Sequence, residues 1–148
     1  MSKNLKISFY LYNIVLFFFF VFSFVYMSRS EFMPYHSIAV HTTWSEVPSN
    51  FKILILVGIH IVGSLLFIVS SAIAIILHIP FKQGVIWAKY TVGVLSLLVA
   101  FSLLYTVLYM RSHTDASPPY YPLVAIICII LLSLFYSFRK SKIIANEI

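Results

Sequence analysis

Four long apolar runs, separated by shorter polar segments, dominate the pattern of hydrophobic and polar positions. They lie at about residues 7–27, 53–79, 90–110 and 120–138. As an α-helix, at about 1.5 Å per residue, each run is long enough to cross roughly 30 Å of hydrocarbon. The runs are continuously apolar and lack the alternation of membrane β-strands. The pattern therefore predicts an all-α integral membrane four-helix bundle, a single domain spanning residues 1–148.

The segment between the first two runs, residues 28–50, is the longest one predicted to lie outside the hydrocarbon. Segments of this length are commonly functional or folded back on the protein. Its two semi-apolar clusters, MPYH at 33–36 and WSEVP at 44–48, predict a cap lying in the membrane interface. The second helix is expected to begin after Pro48 and to end before Pro80, because proline cannot continue a hydrogen-bonded helix.

Small residues mark one face of the second helix and one face of the third. These helix-packing positions are Gly63, Ser64, Ser71 and Ala74 on the second helix and Gly93, Ser96 and Ala100 on the third. Small side chains let helix backbones approach closely in lipid. We therefore expect the two small-residue faces to pack against each other. The first helix is bulky on every face around residues 16–22. It is therefore expected to offer no close-packing face over most of its length and to face lipid widely.

Composition supports a membrane location. Hydrophobic residues make up 61% of the chain and charged residues 9%, whereas soluble domains have roughly 45–50% and about 25%. The chain is basic, with a net charge of +6, but its Lys and Arg residues lie mainly at the ends of the runs. This distribution argues against nucleic acid and indicates membrane lipids with anionic headgroups as partners.

The distribution of charge predicts the orientation. Four spans place the two termini on one side together with the second loop, and that side carries Lys3, Lys6, Lys82, Lys89, Arg139, Lys140, Lys142 and Glu147. The opposite side carries Arg29, Lys52, Arg111, Glu31, Glu46 and Asp115. The net charges are +6 and zero, so the positive-inside rule predicts that both termini are cytoplasmic.

Ionisable groups deep in the apolar runs are scarce. No Asp, Glu, Lys or Arg lies there, which argues against an ion-coupled transporter or pump. Cys128 is the only cysteine, so an intrachain disulfide or a thiol redox pair is excluded. His60 lies about 12 Å along its helix from Lys52. It has two interpretations: a neutral histidine hydrogen-bonded to a neighbouring helix, or a residue that binds ligand or exchanges protons.

The side opposite the termini gathers the candidate ligand-binding residues. They are His36, Trp44, His60, His113 and Asp115. Their spacing does not predict a metal site, because His36 and His41 are five residues apart and would point about 140° apart on a helix. Solvated loop residues and a site composed from two loops both remain open. No catalytic residue is predicted, and the cofactor is left open.

The connecting segments contain short motifs of aromatic, proline and basic residues. They read FMPYH at 32–36, PFKQG at 80–84 followed by WA at 87–88, and RSHT at 111–114 followed by ASPP at 116–119. In these motifs, and in Trp44, the chain resembles a group of uncharacterised small bacterial four-span membrane proteins. The resemblance implies the fold, a bacterial inner membrane and an outer face on which residues 33–36, Trp44, His113 and residues 118–119 lie together. It implies no reaction.

Three functional hypotheses follow. The first is a non-enzymatic accessory or assembly subunit, or a homo-oligomer, that uses the small-residue faces for association. The second is binding of a lipid-like or small apolar ligand, with chemistry as an option, between residues 28–50 and the second helix. The third is an immunity-type protein that intercepts a pore-forming toxin.

Overall fold

The computed structural model describes residues 1–139, which form five α-helices and two short helical turns. The helices are α1 (Lys3–Met27), α2 (Pro34–Val40), α3 (Ser49–Ile76), α4 (Ile86–His113) and α5 (Tyr121–Phe138). A 3-10 turn at Trp44–Glu46 precedes α3, and a π-helical turn at Leu77–Phe81 continues it. Four helices, α1, α3 with its π turn, α4 and α5, are long and apolar enough to cross a membrane. Of the charged residues that predict the orientation in the membrane, Lys140, Lys142 and Glu147 lie outside the described residues.

Helix α1 makes the most extensive contacts of the four long helices. It packs against both α3 and α5, and α4 packs mainly against α5. Its buried side chains recur every three or four residues, at Leu5, Ser8, Tyr12, Val15, Leu16, Phe19 and Ser23. The expectation that the first helix offers no close-packing face over most of its length and faces lipid widely is therefore wrong. Phe17 and Phe18 do point outward, but the opposite face of α1 forms much of the core.

The small residues of α3 and α4 pack against other helices than predicted. A Cβ added at Gly63 would lie 2.8 Å from the backbone nitrogen of Met27, so α3 closely approaches α1. A Cβ at Gly93 would lie 3.0 Å from Cγ of Leu134 on α5 and 3.2 Å from the Tyr12 hydroxyl on α1. The predicted pairing of the two faces is therefore wrong. Small residues show where a backbone can approach, but they do not specify which helix does so.

The other small residues contribute to packing to different degrees. Ser96 and Ala100 are buried on α4, and Ala74 packs against the edge of the core. Ser64 is half-buried. The Ser71 hydroxyl donates to the carbonyl of Phe67, within its own helix, at 2.8 Å.

The α-helical part of the second span ends at Ile76, before Pro80 as expected, but a π turn continues the helix through Pro80. The Val85 amide donates to the Pro80 carbonyl at 3.2 Å. The wider π turn accommodates a residue that has no amide donor and whose ring would clash in a regular α-helix. Phe81 is thereby buried, with its ring edge-on to Tyr12 at 5.7 Å.

The two ends of the bundle differ. At one, the Asn4 side-chain amide donates to the carbonyl of Arg139 at 3.2 Å, so the start of α1 lies beside the end of α5. We call this the terminal end. At the other, the cap end, residues 28–48 fold over the helices. Phe32, Val47 and Ile59 are buried there in a small cluster separate from the main core.

Candidate functional site

The cap has regular local structure of its own. Pro34 begins α2, where its missing amide costs little, and the Met33 amide donates to Nδ1 of His36 at 3.3 Å. The 3-10 turn is capped by Glu46, whose Oε2 accepts from the Thr43 amide at 2.9 Å and from its hydroxyl at 2.8 Å. These bonds lower the pKa of Glu46. The cap is therefore a folded element.

Two contacts hold the cap to the helices beneath it, and a third stabilises the cap itself. The hydroxyls of Tyr26 on α1 and Tyr35 on α2 are hydrogen-bonded at 3.2 Å. His60 on α3 donates through Nε2 to the backbone carbonyl of Arg29 at 2.8 Å. In the cap itself, Trp44 packs edge-on against the buried Phe32 ring at 5.0 Å. These contacts fix the position of α2 above the ends of α1 and α3.

Beneath the cap lies an apolar chamber of about 360 Å³. Ligand pockets typically measure about 300–1,000 Å³. All five helices contribute to its wall, which includes Phe22, Tyr26, Tyr35, His36, Ile55, Gly58, Thr106, Val107, Met110 and Leu123. A Cβ added at Gly58 would meet no atom within 4 Å, so the lack of a side chain there keeps part of the space open.

Grooves between the helices adjoin the chamber. A groove of about 460 Å³ between α3 and α4 shares Val62 and Leu103 with it, and a second of about 300 Å³ lies between α1 and α5. A third cavity of about 400 Å³ lies under the cap and shares His36 and Met110. Contact between α3 and α4 is sparse outside the π turn. The chamber therefore lies next to grooves on the sides of the bundle that would face lipid.

The polar groups of the chamber are few and lie mostly beneath α2. Burial and, to a smaller extent, the charge of Arg29 lower the pKa of His36 below its usual value, so the ring is neutral at pH 7. Because Nδ1 accepts from Met33, Nε2 carries the proton and is a donor. Burial raises the pKa of the Tyr35 hydroxyl, which stays protonated. This part of the wall offers neutral hydrogen-bond donors.

The five predicted ligand-binding residues do not come together in one cluster. His36 lines the chamber, whereas Trp44 and His60 make the cap contacts described above. His113 lies exposed on α4, stacked on Tyr109 at 4.1 Å. Asp115 pairs with His41 at 3.7 Å, with both side chains more than 70% exposed. Within residues 1–139, no three His, Cys, Asp or Glu side chains are placed to hold a metal ion.

Other chamber residues were not singled out in the sequence. Tyr26 and Tyr35 lie near the ends of apolar runs, where aromatic residues commonly mark the lipid–water boundary of a membrane protein. Gly58 lies outside the small-residue face of α3. Its isolation between Val57 and Ile59, in a helix otherwise bulky at this level, is the signal that indicates an opening.

Neither a protein-family model, nor a curated protein, nor a solved structure matches the chain. The resemblance drawn from the loop motifs is therefore supported only as far as the four long apolar helices go, and no family is identified. The packed helices and the four candidate spans define the class of the molecule: it is a small multi-span membrane protein.

Proposed function

We propose that this protein binds a lipid-like, largely apolar molecule in the chamber at the cap end. The observation that supports this most directly is an apolar cavity of about 360 Å³ that adjoins a groove between α3 and α4, with Val62 and Leu103 lining both. A ligand dissolved in the bilayer enters such a cavity sideways, without passing through water. The donors at Tyr26, Tyr35 and His36 then orient the more polar end of the ligand.

The packing of the small residues favours this function over homo-oligomer formation. The oligomer hypothesis depended on small-residue faces available to a partner. Gly63 instead packs against α1 and Gly93 against α5, within the same chain. Of the three hypotheses from the sequence, ligand binding between the cap and α3 is the one with a cavity at the required place.

A larger side chain at Gly58 tests the proposal. We expect Gly58→Trp to fill the chamber and to lower the amount of lipid that co-purifies with the protein by about tenfold, equivalent to ~1.4 kcal/mol. Gly58→Ala is the matched control, because one methyl group leaves most of the space open. Native mass spectrometry of detergent-extracted protein measures the retained lipid, and thermal unfolding verifies that both variants are folded. Equal lipid retention by Gly58→Trp and wild type would contradict the proposal.

We further propose that the terminal end faces the cytoplasm across a bacterial inner membrane. Lys3, Lys6, Lys82 and Lys89 support this orientation because basic residues concentrate on the cytoplasmic side. In a Cys128→Ser background, a membrane-impermeant maleimide should label Ser45→Cys in intact cells and should label Ser2→Cys only after permeabilisation. Labelling of Ser2→Cys alone in intact cells would show the opposite orientation.

A further inference from the structure

Arg29 is a cation in an unusual environment at the cap end. The residue is half-buried, and its guanidinium Nε and Nη2 lie 3.1 and 2.7 Å from the sulfur of Met33. A thioether is a weak acceptor and carries no charge. Among the described residues, no carboxylate lies within 4.0 Å of this guanidinium. A partly desolvated cation with such a partner is poorly satisfied and attracts an anion.

The acidic side chains at the cap end do not supply that anion. Glu46 accepts three hydrogen bonds from Thr42 and Thr43 in its own turn. Asp115 faces His41. Glu31 is exposed and forms no ion pair with Arg29 in the described part of the chain.

Arg29 lies beside the wall of the chamber that carries the hydrogen-bond donors. Met33, which its guanidinium contacts, lines the groove between α1 and α5 together with Tyr26 and Tyr35. The positive charge of Arg29 also favours a lower pKa for the His36 ring and for the Tyr35 hydroxyl, and both residues line the chamber. An arginine, two phenol hydroxyls 3.2 Å apart and an imidazole N–H thus lie near one end of an apolar cavity.

We infer that the ligand is an anionic amphiphile whose phosphate or carboxylate group is held by Arg29 and the Tyr26–Tyr35 hydroxyl pair while its chain occupies the chamber. This inference rests on the proposed function. A guanidinium binds planar or tetrahedral oxyanions through two parallel N–H bonds, and hydroxyl donors add to the same site. A neutral lipid would fill the chamber equally well and leave Arg29 with its thioether partner.

The test compares headgroups on the same acyl chains. Purified full-length protein in detergent is mixed with phosphatidylglycerol, with the fatty acid or with diacylglycerol, and native mass spectrometry measures the bound fraction. We expect about a tenfold preference for an anionic lipid over diacylglycerol in wild type, and its loss in Arg29→Gln. The fatty-acid and phosphatidylglycerol measurements distinguish a carboxylate from a phosphate ligand. Arg111→Gln is the matched control, because Arg111 lies at the same end but contacts Ser117 and the Tyr120 ring.

The results distinguish a failure of the headgroup inference alone from a failure of the proposed function. Equal binding of anionic and neutral lipid by wild type would overturn the inference and leave binding in the chamber intact. A preference for anionic lipid that persists in Arg29→Gln would have the same consequence. If wild type binds none of the three lipids above the level of Gly58→Trp, both the inference and the proposed function are wrong. Should Arg29→Gln fail to fold, Arg29→Lys replaces it. That variant keeps the charge but loses the two parallel bonds, so the preference should fall without disappearing.

Discussion

Gly63→Ala is expected to lower the free energy of unfolding by about 1–3 kcal/mol, the usual cost of overpacking a well-packed contact. The added Cβ would lie 2.8 Å from the backbone nitrogen of Met27 and 3.0 Å from the carbonyl oxygen of Ser23. Backbone atoms cannot rotate away as the end of a side chain can, so α1 and α3 must separate. That separation also stretches the hydrogen bond, 2.9 Å long, from the Ser23 hydroxyl to the Gly63 carbonyl. Unfolding in mixed micelles with increasing SDS measures the change.

Gly58→Ala provides the control within the same helix. A Cβ at Gly58 meets no atom within 4 Å, so the alanine should be neutral or stabilising by about 0.5–1 kcal/mol, because glycine is the poorer helix former. Both substitutions make the same chemical change, and their difference therefore isolates the contact between α1 and α3. Equal stability of the two variants would contradict the close approach of these helices at Gly63.

The four long helices follow from the sequence because lipid imposes a simple requirement. A chain that crosses hydrocarbon must satisfy every backbone group internally and must be apolar over the full thickness, so length and composition alone locate the spans. The helices extend beyond the apolar runs, as at Ile86–His113, where polar residues continue the helix into the interface. The sequence also predicted the cap, because the segment that contains Pro34 and Trp44 is too apolar for a simple solvated loop.

The faces of the helices could not be predicted in the same way. In a soluble protein the inside is apolar and the outside polar, which gives each helix a readable period. In lipid both sides are apolar, so Phe17 and Phe19 look alike in sequence although one is exposed and the other is buried. The better signal on α1 is its two serines, because Ser8 and Ser23 both lie on the buried face.

The chamber could not be predicted from the sequence for a related reason. Histidines are visible in a sequence, but their partner atoms are not: His60 meets a backbone carbonyl, and His113 lies beside Tyr109. The cavity depends on sparse contact between α3 and α4 above the π turn and on a missing side chain at Gly58. Both features depend on which helices pack together. The small-residue faces predicted those helix pairs incorrectly.

Phe19→Ala is expected to destabilise the protein by about 3 kcal/mol. The Phe19 ring is 0% exposed and packs in the main core, so its removal leaves a cavity and forfeits many van der Waals contacts. Phenylalanine-to-alanine changes in soluble cores cost about 3–5 kcal/mol. The lower end applies here, because lipid solvates the separated helices and the transfer from water contributes little. SDS titration and thermal unfolding in detergent both measure the loss.

Phe17→Ala is the matched control, two residues earlier in the same run of phenylalanines. Its ring is 65% exposed on the outer surface of α1, so the substitution exchanges one lipid contact for another and should change stability by no more than about 0.5 kcal/mol. The packing of α1 against α3 and α5 requires this asymmetry, because those helices cover the face that carries Phe19 and leave the face that carries Phe17 exposed. If the two variants lose equal stability, the buried face of α1 is assigned incorrectly. If Phe17→Ala alone is destabilising, α1 is rotated relative to the packing described above, and the chamber wall formed by Phe22 and Tyr26 must be reassigned with it.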